Sequence, residues 1–140
     1  MNLRNFVLAG ITGGIMYFLL GWLLYGNLFA DQIKSTVSRD PNDLIFWSLA
    51  LGNLCCGFLM AYIFSRAHIK NAVNGIVMGT IVGFLMCVSI DLIAYSTTTT
   101  ASLTNIAYDV AIFTAMSSLT GAGVGYVLGW GMAKETVAAT

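Results

Sequence analysis

The chain has 140 residues, of which 58% are apolar and only 9% charged, and its six Lys/Arg balance six Asp/Glu to a formal charge of zero. A soluble domain carries about a quarter charged residues; here the few charges, even with His68 added, cannot coat a surface of this size. The charge balance also excludes nucleic-acid binding, which needs a basic face, and the apolar content excludes intrinsic disorder. The remaining class is an integral membrane protein whose solvent is the lipid bilayer.

In chain order, four segments reach the roughly 20 predominantly apolar residues that a spanning helix requires: about 6–29, 44–64, 73–95 and 106–132. They predict a single all-α membrane domain over 1–140, a bundle of four transmembrane helices. Its links are short, so consecutive helices are expected as antiparallel neighbours. The first apolar run, about 23 residues long, exceeds the roughly 7–15-residue apolar region of a signal peptide, and Leu28 fits a cleavage site before Ala30 poorly. It therefore reads as a span. The clearly polar stretch 31–43 carries Lys34, Arg39 and Asp40, and its Pro41 is the sole proline. Pro41 stops one helix, and Asn42 or Asp43 is placed to cap the next. The second link, 65–71, carries Arg66, His68 and Lys70, whereas 96–104 is rich in Thr and Ser and uncharged.

Orientation follows from the distribution of Lys and Arg. Arg4, Arg66, Lys70 and Lys134 fall on one side of four spans, against Lys34 and Arg39 on the other. Both termini are thus expected in the cytoplasm, with 31–43 outside. Aromatic belts follow the same depths: Trp22, Tyr25, Phe29, Trp47, Tyr95 and Tyr108 towards the outer face, and Tyr62, Phe64, Tyr126 and Trp130 towards the inner one. On a cysteine-free background, a cysteine at position 36 should react with an impermeant reagent from outside, and one at 68 from inside only. Reversed labelling would invert the topology, and labelling of both from one side would change the number of spans.

Fifteen glycines are spread through these spans. Gly75, Gly79 and Gly83 recur every four residues on the third, Gly121, Gly125 and Gly129 on the fourth, and the first carries Gly10, Gly14 and Gly21. Four-residue spacing stacks small residues on one face. Between helices in lipid there is no hydrophobic driving force, so flat faces that let backbones approach supply the association. Such faces serve either the packing of this bundle or the seam of a homo-oligomer or larger membrane complex.

Chemical motifs are sparse. Cys55, Cys56 and Cys87 lie in apolar runs, and an odd number without polar flanks is no disulfide framework. Adjacent Cys55 and Cys56 point to different sides of a helix, so all three read as small buried apolar thiols. His68 is the one histidine, which leaves neither a bis-His haem nor a His-based metal site. It reads as a solvated interfacial residue, with contact to anionic lipid as the alternative. Spans contain no lysine, and no phosphate loop or nucleophile motif occurs. No enzyme chemistry, cofactor or metal is expected.

Asp91 and Asp109 are the informative anomaly, because ionisable residues inside a span mark sites by default. A short link joins their spans at the outer end, so they lie at similar depth. If both face inward, two carboxylates that close would share a proton or bind a cation, with Tyr95, Tyr108 and Asn105 supplying further oxygens. Simple hydration near the headgroups, with Asp109 aiding a helix N-terminus, is the alternative. Asn53, Thr80, Ser89, Thr114, Ser117, Ser118 and Thr120 offer interhelical or backbone hydrogen bonds.

The run Gly21-Trp22-Leu23-Leu24-Tyr25-Gly26-Asn27-Leu28-Phe29, together with Asn105-Ile106-Ala107-Tyr108-Asp109 leading to the glycines from Gly121, resembles the small bacterial membrane proteins of domain-of-unknown-function family 1761. The likeness covers most of the chain in order and length, and departs from that pattern at Leu24 and Asn27, where Trp and Pro are expected. It implies a four-helix protein of the bacterial inner membrane and no particular activity. The expected role is a structural or accessory subunit of a membrane assembly, without catalysis. The alternative is an oligomeric small transporter or ion channel that uses the intramembrane acids. Four helices enclose little midplane space, and the internal repeats common in transporters are not evident here.

Overall fold

A computed structural model describes residues 3–29, 43–99 and 102–138, with side chains as far as Trp130. Within them the chain is helical, without strands: α1 (Leu3–Leu23), continued by a π-helical turn (Leu24–Leu28), then α2 (Phe46–Arg66), α3 (Ala72–Thr97) and α4 (Leu103–Ala138). Four helices are long and apolar enough to cross a membrane, the last of them over Leu103–Trp130. Helices are the form such sequences take in lipid, because each backbone N–H and C=O must be satisfied within its own segment. The polar stretch with Lys34, Arg39, Pro41 and Asn42 lies outside the described residues, as does the side chain of Lys134.

Asp43 does not cap α2. The helix starts at Phe46 with Ile45 as its cap residue and no side-chain bond. Leu44 and Ile45 separate Asp43 from the first turn, beyond the reach of an N-cap side chain to the second or third helical amide. The capping asparagine is instead Asn71, whose Oδ1 accepts from the Asn74 amide at 2.8 Å and opens α3. Just before it, α2 closes with the Ile69 amide donating to the Phe64 carbonyl at 2.9 Å. His68 between them takes φ 55°. This is the six-to-one bond of a Schellman motif with histidine where glycine is usual, and its hydrophobic contact is Ile69 against the core that contains Phe64.

Ala9 and Tyr17 of α1, Met60, Ala61 and Phe64 of α2, and Ile112, Met116, Val124 and Leu128 of α4 form the core. α1 and α4 occupy the middle: α1 packs on α2 and α4, and α4 packs on α3, whereas the consecutive α2 and α3 scarcely meet, so their short link does not make them the packed neighbours expected. Phe64 is thus a fully buried core residue rather than a member of an interfacial belt, and Cys55 is exposed rather than buried.

Several glycines lie close against a neighbouring helix. Gly75 lies on the backbone of Gly121 and Gly125, Gly79 on Ser117 and Gly121, and Gly83 on the Ser117 side chain. Gly125 and Gly129 sit against the backbone of Asn71 and Lys70. On the other flank Gly57 of α2 abuts Gly10, Gly13 and Gly14 of α1. Hydroxyls stitch the same surfaces: Tyr17 Oη donates to Ser117 Oγ at 2.9 Å, and Thr80 Oγ1 meets Ser118 Oγ at 2.6 Å. Interhelical hydrogen bonds in membranes average about 0.6 kcal/mol, so these pairs fix the register of helices that the glycine contacts bring together. Asn53 turns back to the Leu49 carbonyl at 2.7 Å, while the buried hydroxyls of Thr114 and Thr120 have no partner.

Candidate functional site

The four-residue step that carries Gly75, Gly79 and Gly83 along α3 continues to Cys87 and then Asp91. On α4 the same step runs back from Gly125 through Gly121, Ser117 and Phe113 to Asp109. Residues four apart share a helical face, and these two faces are the ones in contact. Following them to the end near Thr97 and Leu103 brings the two acids together. Asp91 lies six residues before Thr97, and Asp109 six after Leu103, so each is about 9 Å along its helix from that end.

The Cys87 sulfur sits between the carboxylates, 3.3 Å from Asp91 Oδ2 and 3.5 Å from Asp109 Oδ2. One ligand atom from each of the three residues lies within 4.8 Å of the others. A third helix contributes Tyr25, whose Oη donates to Asp109 Oδ1 at 2.6 Å. Tyr25 belongs to the π-helical turn, which closes through the Phe29 amide on the Leu24 carbonyl at 2.8 Å and is braced by Asn27 Nδ2 on the Trp22 carbonyl at 3.0 Å. Single π-helical turns recur at functional sites, where the wider winding re-aims a side chain. Cys87 is only 5% exposed, while Tyr25, Asp91 and Asp109 are half-buried.

Of the residues singled out in the sequence, Asp91 and Asp109 are brought together. Tyr95 and Tyr108 are not part of the cluster: each is 45% exposed, and the hydrogen bonds to the acids come from Cys87 and Tyr25 instead. Asn105 is half-buried and uses its backbone amide on Ser102 Oγ at 3.2 Å. Gly75, Gly79, Gly83, Gly121, Gly125 and Gly129 lie in the contacts described above, away from the cluster.

Two carboxylates here face one thiol proton and one phenol proton. Among the described residues, their side-chain partners are this thiol and phenol rather than a cation. Carboxylates grouped at membrane depth are costly unless a proton or another positive species joins them. What the arrangement can do chemically is hold such a species between α3 and α4, within reach of the bundle end. Comparison with family models, curated proteins and solved structures finds no match to this chain.

Proposed function

We propose that this small integral membrane protein handles cations, taking up and releasing a proton or metal cation at the Asp91–Asp109 pair. The observation that carries the reading is the convergence of both acids on the Cys87 sulfur, with Tyr25 holding Asp109 from a third helix. The bundle is then an antiparallel one, glycine-packed and without catalytic chemistry. Its termini lie in the cytoplasm of a bacterial cell, and its acid cluster lies towards the outer face of the inner membrane. The likeness to family 1761 belongs to the same reading.

A structural or accessory role, or assembly with further copies, would use other surfaces than the glycine faces of α3 and α4, which lie against each other. A path through a single copy is disfavoured, since Phe64, Met60, Val124, Thr120 and Ser117 fill the interior. Conduction would therefore run along a surface completed by further copies. The test is flux in reconstituted vesicles with proton- and cation-sensitive dyes. The parent protein should dissipate an imposed gradient, and Asp91→Asn should slow it by about tenfold or more, the loss of about 1.4 kcal/mol of binding. Absence of flux in the parent, or unchanged flux in the variant, returns the protein to the accessory role.

A further inference from the structure

We infer that the cluster is a binding site for a thiophilic divalent metal ion of the zinc class, ligated by Cys87 Sγ, Asp91 and Asp109, with Tyr25 orienting Asp109. This rests on the cation reading above and names the ion. The first ground is the donor set. Hard cations such as magnesium and calcium take six or more oxygens, whereas the atom at the centre of this cluster is sulfur, which selects zinc and softer metals. Cys87 is 5% exposed, and its sulfur lies within hydrogen-bond reach of both carboxylates.

The second ground is distance. Tetrahedral zinc with a thiolate at about 2.3 Å and a carboxylate oxygen at about 2.1 Å sets sulfur and oxygen about 3.5 Å apart. The two sulfur–oxygen separations are 3.3 and 3.5 Å. One ligand atom of each of the three residues lies within 4.8 Å of the others. The third ground is the outer shell. Metal-ligating carboxylates are themselves held by hydrogen bonds, and the Tyr25 phenol fixes Asp109 through Oδ1 at 2.6 Å, which leaves Oδ2 for the metal. Binding exchanges the Cys87 S–H bond for a sulfur–metal bond and releases that proton to solvent. Thiolate and two carboxylates bring three negative charges against the dication's two, and the Tyr25 hydrogen bond to Asp109 helps to hold the one that remains. The three ligands leave a fourth position for water or an incoming group, the arrangement of an exchangeable rather than a closed structural site.

The test uses the full chain in lipid nanodiscs titrated with cadmium, which reports thiolate ligation by an ultraviolet charge-transfer band, with zinc added as competitor. One band per chain is expected, displaced by zinc, retained in Cys55→Ala/Cys56→Ala and lost in Cys87→Ala. Tyr25→Phe leaves the ligands in place and should weaken cadmium binding by about tenfold to a hundredfold, which keeps the inference testable if Cys87→Ala does not fold. No band, or a band that survives Cys87→Ala, overturns the metal assignment. Vesicle flux separates the two levels: flux that depends on Asp91 without a Cys87 band leaves cation handling standing and removes the metal. Absence of both removes cation handling as well.

Discussion

Leucine at Gly79 or Gly125 should destabilise the bundle by about 3 kcal/mol, the upper end of the usual cost of overpacking, whereas leucine at Gly26 or Gly52 should be close to neutral. A Cβ at Gly79 falls on the Ser117 carbonyl and 3.1 Å from the Gly121 Cα, and one at Gly125 falls on the Asn71 carbonyl. These obstacles are backbone atoms, so no rotamer change relieves them. The helices must separate, and separation costs the dispersion contacts that hold helices together in lipid. At Gly26 the nearest atom is Trp22 Cδ1 at 3.6 Å, and at Gly52 nothing lies within 4 Å. Denaturant titration in detergent, followed by helical circular dichroism, measures the difference. Equal tolerance at the four positions would mean that the glycines do not set the helix separation.

The four spans were legible because long apolar runs in a chain with 9% charge have one stable form in lipid. Their ends were less so. Hydropathy does not register where hydrogen bonding stops, and the start of α2 passed Asp43, while the end of that helix was set by a left-handed histidine that no composition signal marks. The pairing of Asp91 with Asp109 was half legible: their common depth follows from the short link, but their common facing does not, because a four-residue step drifts about 40° around a helix each time and the crossing of α3 on α4 decides where it ends. The same step passes through Cys87, yet a cysteine in an apolar run reads as a small apolar residue until two carboxylates are placed beside it. Tyr25 was hidden for a different reason. An aromatic near the end of a span is ordinarily an interfacial anchor, and the π-helical turn that aims it at Asp109 has no sequence signature. Tyr95 and Tyr108 share the depth of the acids but not their surroundings, since depth alone does not bring a side chain into contact.

Asp91→Asn should raise the stability of the metal-free bundle by about 1 kcal/mol while removing its response to added cation. Carboxylate oxygens within 4.8 Å of each other repel by at least about 3.5 kcal/mol if both are ionised at an effective dielectric of about 20. Both groups are half-buried, so solvent screening reduces what can be recovered to the smaller figure. The amide keeps the shape of the side chain and can still accept from the Cys87 thiol, which removes charge without opening a cavity. In the parent the same repulsion is relieved by the bound ion, which at a hundred times its dissociation constant adds about 2.7 kcal/mol. The two stability curves should therefore cross: the variant is the more stable protein under chelator, and the parent is the more stable one with saturating zinc. Sites that trade stability for binding behave in this way. If hydration at the headgroups were sufficient for these acids, the variant would match the parent in chelator and zinc would move neither, an outcome that thermal unfolding in nanodiscs distinguishes directly.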